Sequence, residues 1–425
     1  MTNEPLFTSR RDFLSGSLTF LSAATTLPLF LGRTARVLAG DEPAAQRDDA
    51  SRILVVVQLA GGNDGLNTII PYTMDEYYKA RRTLAVPKAD VLKLEQNVGL
   101  NPAAEGLKSL YDDGLMAVVQ GVGYPNPNRS HFQSMDIWHS ADPELRRHSG
   151  WLGRYFDSCC PGSDPGPEPI AGVAMMKEAP PAMYGDDFMP LAFDDISALS
   201  WRGNPRDSRA AETFRKLNNI DGDLPPGGHE MAQYLQRAAL KAQVGADNIR
   251  AAVGRSLPAR RRGGRGGELG RQLDVVARMI AADLPTRVYY VSMGGFDTHT
   301  GQAGRHRQLL TQFGEAMNDF VRTLAENKLL DRVLVLTFSE FGRRVQENAS
   351  GGTDHGEAAP MFLFGSAVRP GVHEKHPSLA SLHRGDLSYG VDFRRVYATV
   401  LRQWLKAAPE KVIGGGFQPM KLLKV

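Results

Sequence analysis

The chain has 425 residues, of which 42% are hydrophobic and 23% charged, and its formal net charge is +3. This near-neutral balance argues against nucleic acid or another polyanion as a partner. The two cysteines, Cys159 and Cys160, are adjacent and cannot close an ordinary disulfide loop, so the chain is not a small disulfide scaffold. The length suits one large α/β domain or two smaller ones.

The N-terminus has the pattern of an export signal. The basic motif SRRDFL at 9–14 precedes the apolar run LTFLSAATTLPLFL at 18–31 and the small-residue sequence VLAG at 37–40. This order is typical of a signal peptide, and the twin arginine indicates the twin-arginine (Tat) route. The apolar run is too short, and too rich in Thr, Ser and Pro, for a stable membrane span. We therefore predict a signal peptide at 1–39, a linker at 40–51, Tat translocase as export partner, and a periplasmic or secreted mature protein.

The mature region alternates between strand-like and helix-like patterns. Short apolar runs rich in Val, Leu and Tyr are typical of strands buried on both faces, and they occur at 52–60, 115–123, 286–294 and 331–339. Apolar residues with a helical period predict helices at 269–284 and 305–328. Alternation of this kind predicts right-handed crossovers and a mostly parallel sheet.

The middle of the chain is different. Residues 160–228 carry CPGSDPGPEP, EAPPAMYGDD and DGDLPPGGHE, which predict an irregular insertion or cap region. A helix is predicted at about 229–253. The following RRRGGRGGELG at 260–270 is interpreted as a solvated basic linker rather than a nucleic-acid contact.

Polar and ionisable residues stand next to every predicted strand. In open α/β sheets, ligands bind outside the carboxyl ends of the strands, so these residues are expected to form one site. In chain order they are Asp64 in GGNDGLN, Asn128, Ser130 and His131 in YPNPNRSHF, Asp297 and His299 in GFDTH, Glu340 in EFGRR, and Asp354 and His355 before the apolar run MFLFG at 361–365.

Carboxylate oxygen together with imidazole nitrogen suits a divalent ion such as Zn, Mn, Fe or Ca. A cation beside a hydroxyl nucleophile supports phosphoryl or sulfuryl transfer, because it lowers the pKa of the nucleophile and stabilises charge on the transferring oxygens. Each motif also has an ordinary explanation: Asp64 is of a type common in turns, and Asp297 with His299 resembles a surface pair. It is the recurrence at corresponding strand ends that favours a metal site.

Several of these motifs are recognisable as a set. VVVQLAGGNDGLNTIIPY, GGFDTH, TFSEFGRR and GTDHGEAAPMFLFG, behind a Tat signal, resemble a bacterial family catalogued as domain of unknown function 1501, which is grouped with the alkaline phosphatase and sulfatase superfamily. The resemblance covers the mature chain, 52–425. It implies a three-layer α/β/α sandwich with a mostly parallel central sheet and a metal site at the strand carboxyl ends.

The resemblance also implies roles for individual residues. Ser130 matches the nucleophile. The matching metal ligands are Asp64, Asp297 with either His299 or His306, Glu340 and His355, with Asp354 as a ligand or a residue that orients one. The chain departs from the pattern at Ser339-Glu340-Phe341-Gly342, where the superfamily usually has Ser-Asp-His-Gly. The missing imidazole makes a single metal, or a differently coordinated pair, more plausible. Cys159-Cys160-Pro161 lacks the Arg of a sulfatase motif, which favours phosphatase or phosphodiesterase chemistry.

Some roles stay open from the sequence. Ser130 is either the nucleophile or the cap of a helix beginning near His131. Arg343 is selected from Arg129, Arg154, Arg343 and Arg344 as the residue that receives an anionic ester substrate, and His131 and His139 are interpreted as packing residues or as partners of the ligands. The predicted function is an exported metal-dependent hydrolase of phosphate or sulfate esters, with Ser130 or metal-bound hydroxide as nucleophile. The alternative is a non-catalytic envelope binding protein with the same fold and one structural metal.

Overall fold

The computed structural model describes residues 52–159, 169–196, 249–250, 252–254, 256 and 266–424. The predicted signal peptide and linker lie outside these residues, as do most of the helix predicted at 229–253 and much of the predicted insertion. No helix within the described ranges combines the length and the apolar character needed to cross a membrane.

Two sheets are present in the described part of the chain. The large one has nine strands in the order β11-β5-β10-β9-β1-β8-β6-β7, with β12 also paired to β5, and the small one has the order β2-β4-β3. The strands are β1 (Ile53–Leu59), β2 (Ile69–Ile70), β3 (Leu92–Lys93), β4 (Gly99–Leu100), β5 (Met116–Gly123), β6 (Gly172–Ala174), β7 (Leu191–Ala192), β8 (Val288–Met293), β9 (Val333–Phe338), β10 (Ala359–Phe364), β11 (Gly371–His373) and β12 (Val391–Asp392).

The helices connect these strands and cover both faces of the large sheet. The α-helices are α1 (Gly65–Thr68), α2 (Asp75–Ala80), α3 (Glu105–Asp112), α4 (His131–Ser140), α5 (Trp151–Cys159), α6 (Gly267–Ala281), α7 (Gln302–Glu326), α8 (Phe393–Thr399) and α9 (Pro409–Val412). A π-helical turn at Val400–Trp404 extends α8. Short 3₁₀ turns lie at Pro102–Ala104, Pro169–Ala171, Pro181–Met183 and Leu330–Arg332.

The strand directions place many chain segments at one edge of the large sheet. Strand β1 pairs in parallel with β8 and β9, with Val55 opposite Tyr289 and Val335. Strand β10 is antiparallel to both β5 and β9. Strands β1, β5, β8 and β9 therefore all end at the same edge, where β10 begins. We call this the carboxyl edge.

The core has two layers, one on each face of the sheet. Successive residues of β1 point alternately into the two layers. Ile53, Val55 and Val57 pack with α3, α6 and α7 on one face. Leu54 and Val56 pack with α4, α5 and α8 on the other face. All seven β1 residues are buried, and each large apolar side chain buried in this way contributes about 1.5–3 kcal/mol. The predicted three-layer α/β/α sandwich with a mostly parallel central sheet is confirmed.

The predicted elements agree with the structure to within a few residues. All four predicted strands are present, as β1, β5, β8 and β9, and the predicted helices at 269–284 and 305–328 correspond to α6 and α7. Trp138 and Trp151, expected in the core, are 2% and 1% exposed. Cys159 is the last residue of α5 and is exposed.

Candidate functional site

Three histidines and one aspartate meet at the carboxyl edge. His131, Asp297 and His355 each offer one ligand atom, and these atoms lie within 4.8 Å of one another. Among the described residues, this is the group of histidine and carboxylate side chains that is close enough to hold a metal ion. His299 adjoins them, with Nε2 3.1 Å from Asp297 Oδ1 and 2.9 Å from His355 Nε2. We call these four residues the histidine–aspartate cluster.

The cluster is assembled from three separate parts of the fold. His131 is the first residue of α4, shortly after β5. Asp297 and His299 lie in the loop between β8 and α7, and His355 lies in the loop that leads into β10. The sheet brings these loops together because β5 and β8 end at the edge where β10 begins.

Every histidine of the cluster places Nδ1 against an oxygen atom. The pairs are His131 Nδ1 with Glu340 Oε1 at 2.8 Å, His299 Nδ1 with Asp354 Oδ1 at 3.0 Å, and His355 Nδ1 with the Arg129 carbonyl oxygen at 2.7 Å. A carbonyl or carboxylate oxygen only accepts hydrogen bonds, so Nδ1 carries the proton in each ring. In the neutral form, the free lone pair of each ring is then on Nε2.

The three Nε2 atoms are directed towards Asp297. His131 Nε2 is buried without a hydrogen-bond partner among the described residues and lies 3.5 Å from Asp297 Oδ2. His299 Nε2 and His355 Nε2 face each other at 2.9 Å. Two lone pairs at this distance repel each other unless a proton or a cation lies between them, so the geometry calls for positive charge at this point.

The spacing of these atoms suits a single small cation. Donor atoms 2.0–2.1 Å from one tetrahedral ion lie about 3.3 Å from one another. The separations in the cluster are 2.9 Å between the two Nε2 atoms, 3.1 Å from each of them to Asp297 Oδ1, and 3.5 Å from His131 Nε2 to Asp297 Oδ2. The spacings among His299, His355 and Asp297 are thus close to the tetrahedral value, whereas the ligand atom of His131 lies within 4.8 Å of those of Asp297 and His355.

Arg343 lies beneath the cluster and holds Asp297. Its guanidinium is fully buried and donates to Asp297 Oδ1 at 2.7 Å. Nε donates to the Gly62 carbonyl and Nη1 to the Thr353 carbonyl, while Nη2, which binds Asp297, also donates to the carbonyls of Gly61 and Phe296. Although burial raises the pKa of Asp297, the hydrogen bond and the positive charge of Arg343 lower it to about 2. In this geometry Arg343 orients Asp297 instead of facing a substrate, contrary to the role expected from the sequence.

The GGNDG motif serves this close packing. Gly61 has a φ of +115°, and a Cβ there would lie 2.4 Å from Asp297 N. Only glycine combines this backbone conformation with such a close approach. The bend allows Gly61 N to donate to Glu340 Oε1 at 2.8 Å, so the first loop supports the cluster by its backbone.

Glu340 and Asp354 lie behind two of the cluster histidines. Glu340 is 1% exposed, and its Oε1 accepts from Gly61 N as well as from His131 Nδ1. This hydrogen bond raises the pKa of His131, despite the opposing effect of burial. The pKa of Asp354 is lowered, and the largest cause is the hydrogen bond from His299. Glu340 was expected to be a metal ligand, and Asp354 a ligand or a residue that orients one; in the structure both carboxylates orient histidines.

Asp64 lies apart from the cluster. Its carboxylate forms a bidentate ion pair with Arg81, at 2.5 and 3.1 Å, accepts from Gln302 Nε2 and caps α1 through Asn67 N at 3.4 Å. Burial alone would raise the pKa of Asp64, but the Arg81 charge and hydrogen bonds bring it below its ordinary value. The oxygens expected to bind a metal are occupied by protein donors.

The structure separates the two alternatives for the histidine next to Asp297. His299 lies in the cluster, whereas His306 is 3% exposed and its Nε2 lies 3.1 Å from Asn63 Oδ1. Burial lowers the pKa of His306 to about 4. His355, by comparison, has its pKa lowered by burial and by the nearby Arg343 charge, which favours the neutral imidazole that a metal requires.

Ser130 occupies the cap position of α4 without capping it. Its φ and ψ, −81° and 128°, are those of an N-cap residue, but the side chain makes no capping hydrogen bond. The residue is exposed, and its backbone N donates to Asn128 Oδ1 at 2.7 Å. The hydroxyl is therefore free of the structural role considered for it, and it directly precedes His131.

The remaining sequence candidates have structural partners. His139 is buried, with Nε2 3.2 Å from the Tyr290 hydroxyl. Arg154 donates to the carbonyls of Val412, Ser149 and Ser140, and Arg129 and Arg344 both pair with the buried Asp386. The sequence analysis interpreted His131 as a packing residue or a partner of the ligands, although its place directly after a strand, like that of Asp297, was the signal that could have identified it.

Comparison with solved structures found sulfatases, phosphatases and related enzymes. The PsFucS1 sulfatase from Pseudoalteromonas sp. is 10% identical, with 97% of this chain and 75% of that chain covered and a TM-score of 0.37. The lipoteichoic acid synthase LtaP from Listeria monocytogenes is 10% identical over 83% and 72%, with a TM-score of 0.34. Alkaline phosphatase from the Antarctic bacterium TAB5 is 10% identical over 74% and 92%, with a TM-score of 0.29. At values this low the similarity carries no functional information.

Comparison by sequence gave one family and no curated relative. A search of the curated proteins found no match. The profile described as "Protein of unknown function (DUF1501)" matches residues 117–413, which include all four residues of the histidine–aspartate cluster. The chain therefore belongs to the DUF1501 family, as the motifs around Asp297, Glu340 and His355 predicted.

Proposed function

We propose that the protein is a metal-dependent hydrolase of phosphate or sulfate esters, exported by the Tat route, in which the histidine–aspartate cluster holds one divalent cation. The observation that carries the proposal is the convergence of three Nε2 atoms on the Asp297 carboxylate, with His131 Nε2 buried and unpartnered among the described residues. The Nδ1 atom of each ring faces a carboxylate or carbonyl oxygen. This supports the metal site, because metal-binding histidines commonly donate their other ring N–H to such an oxygen.

The donor set narrows the choice of metal. Three imidazoles and one carboxylate suit Zn, Fe or Mn, whereas Ca prefers an all-oxygen shell. A single ion is favoured because Asp64 is paired with Arg81 and Phe341 packs against His355, with ring centroids 4.5 Å apart, at the position where the superfamily usually has a histidine. We therefore propose one cation per chain.

The chain's own residues define the rest of the proposed site. A divalent cation there would stabilise negative charge on the oxygens of a transferring phosphoryl or sulfuryl group. Arg343 keeps Asp297 ionised and in place. Ser130, exposed and without a capping bond, offers the hydroxyl nucleophile next to His131, and Glu340 fixes the orientation of the His131 ring.

Metal analysis of the purified protein, followed by hydrolysis assays, tests the proposal. We expect one bound cation and turnover of 4-nitrophenyl phosphate, bis(4-nitrophenyl) phosphate or 4-nitrocatechol sulfate. The Ser130→Ala variant should lose turnover but keep the metal, while Ser381→Ala, at another exposed serine, should behave as wild type. A folded protein that takes up no cation would refute the metal site, and full turnover in Ser130→Ala would refute the nucleophile.

A second function, non-catalytic binding in the cell envelope, is favoured by one observation. The guanidinium of Arg343 donates to four backbone carbonyls and to Asp297, so the arginine expected to receive an anionic ester is engaged. Stoichiometric metal binding without hydrolysis of any of the three ester probes would support this second function over the first.

A further inference from the structure

We propose that Gln302 is a positioning residue: it sets the spacing between the two segments that supply Asp297, His299 and His355, and Asp64 fixes the orientation of its amide. The inference rests on the metal site proposed above. It gives Asp64 a role in that site other than metal ligation.

Gln302 connects both segments through a single oxygen atom. It is the first residue of α7 and is fully buried. Its Oε1 accepts from Thr298 Oγ1 at 3.0 Å and from Thr353 Oγ1 at 2.6 Å. Thr298 lies between Asp297 and His299, and Thr353 lies two residues before His355. One amide group therefore links the backbone around all three of these cluster residues.

The two segments are in direct backbone contact, so their spacing is sensitive to this link. Thr353 N donates to the Thr298 carbonyl at 3.1 Å. A Cβ at Gly352 would lie 2.2 Å from the His299 carbonyl carbon, closer than any side chain fits. Because His299 Nε2 and His355 Nε2 are only 2.9 Å apart, a shift of a few tenths of an ångström between the segments changes the donor spacing directly.

Asp64 determines which way the Gln302 amide points. A carboxylate only accepts hydrogen bonds, so it selects the Gln302 NH₂ group and leaves Oε1 to the two threonines. Arg81 keeps the buried Asp64 ionised: the Arg81 charge and hydrogen bonds lower the pKa of Asp64 despite its burial. Both members of this pair are almost fully buried, at 0% and 1% exposure. The link therefore runs from Asp64 through Gln302 to both ligand segments.

Variants that remove the link without removing a ligand test the inference. Gln302→Met keeps the side-chain length and loses all three hydrogen bonds, and Thr353→Val removes one hydroxyl. The matched control is Thr399→Val. Thr399 is the last residue of α8 and is also fully buried; its hydroxyl donates to the Arg395 carbonyl and accepts from Met420 N. Helix α8 packs in the core layer that contains no residue of α7.

The readout is metal affinity, measured by competition with a chelator for Zn²⁺, together with the visible absorption spectrum of the Co²⁺-loaded protein. Removing a group that orients ligands weakens metal binding by about 10–100-fold. We expect this loss, and a changed Co²⁺ spectrum, for Gln302→Met and Thr353→Val. Thr399→Val should lower the unfolding free energy of the metal-free protein by about as much as Thr353→Val does, but leave the metal affinity and the Co²⁺ spectrum unchanged.

The possible failures are distinct. If wild type binds no Zn²⁺ or Co²⁺, the proposed metal site fails, and this inference fails with it. If wild type binds metal and Gln302→Met binds it equally tightly with the same spectrum, only the inference is overturned. Should Gln302→Met not fold, Thr298→Val and Thr353→Val decide the question, and equal affinity in both would overturn it. A loss of affinity in Thr399→Val as large as theirs would reduce the effect to general destabilisation.

Discussion

Replacing Arg81 by methionine should lower the unfolding free energy of the metal-free protein by about 3–5 kcal/mol, the usual cost of removing one partner from a buried ion pair. Methionine retains much of the apolar length of arginine but has no donor. The Asp64 carboxylate would then be left in the interior with only Gln302 and the Asn67 amide as donors.

The size of the effect follows from burial and geometry. The Arg81 and Asp64 side chains are 0% and 1% exposed and meet at 2.5 Å, so solvent does not screen the charge that remains. Arg81 also donates to the backbone carbonyls of Val345 at 2.6 Å and Arg344 at 2.8 Å. Losing these bonds leaves two more acceptors unsatisfied, and each buried group of this kind costs about 1–3 kcal/mol unless water reaches it.

Urea unfolding at neutral pH, followed by circular dichroism, measures this loss. The double variant Arg81→Met/Asp64→Asn should recover part of it, because no buried charge then remains unpaired. The control is Arg322→Met: Arg322 pairs with Asp113, both side chains are over 40% exposed, and such pairs are worth about 0–1 kcal/mol.

A loss in Arg81→Met no larger than that of the control would refute the reasoning. So would uptake of a second metal ion by Arg81→Met with full recovery of stability, since this would show that Asp64 accepts a cation as readily as it accepts Arg81. Unchanged metal stoichiometry in the variant would agree with Asp64 lying outside the cation site.

Three further predictions concern single side chains. Glu340→Gln should weaken metal binding by about 10-fold or more, because a neutral amide is a poorer acceptor for His131 Nδ1; chelator competition measures this, and unchanged affinity would contradict it. Ser130→Ala should change the unfolding free energy by less than about 0.5 kcal/mol, because its hydroxyl makes no capping bond; urea unfolding showing a larger loss would reveal a structural role. Burial lowers the pKa of His139 to about 3, so between about pH 6.5 and pH 3 the unfolded chain binds up to one more proton there than the native protein, and stability falls with pH by at most about 1.4 kcal/mol per pH unit. Unfolding of His139→Gln between pH 7 and pH 5 should show a shallower decline, and an equal slope would contradict the assignment.

Much of the fold could be predicted because its signals are local. The continuous apolar runs of β1, β5, β8 and β9 are long enough to be recognised, and burial on both faces explains why they do not alternate. The direction of β10 has no such local signal, because the amino-acid composition of a short apolar strand does not indicate whether it pairs in parallel or antiparallel. Its antiparallel pairing depends on contacts with β5 and β9, which are distant in sequence.

The sequence predicted which side chains lie near one another at the carboxyl edge, but not which of them are engaged by donors from the protein itself. The rule that ligands gather at strand ends identified Asp297, His299 and His355 correctly as neighbours. It also selected Asp64 and Glu340, because the rule does not reveal which carboxylates find protein donors. The partner of Asp64, Arg81, follows α2 and is not at a strand end, so no strand-end pattern could have indicated it. Partner choice of this kind is decided by tertiary packing.

The buried guanidinium of Arg343 has one more consequence. It ties together the turn at Gly61 and Gly62, the end of the β8 loop and the segment before His355 through direct hydrogen bonds. The backbone around the histidine–aspartate cluster is thus held by a positive charge that belongs to the protein itself. If the proposed cation site is correct, these hydrogen bonds would hold the backbone of the three segments in place before the cation binds, so little of the binding energy would be spent on ordering the chain.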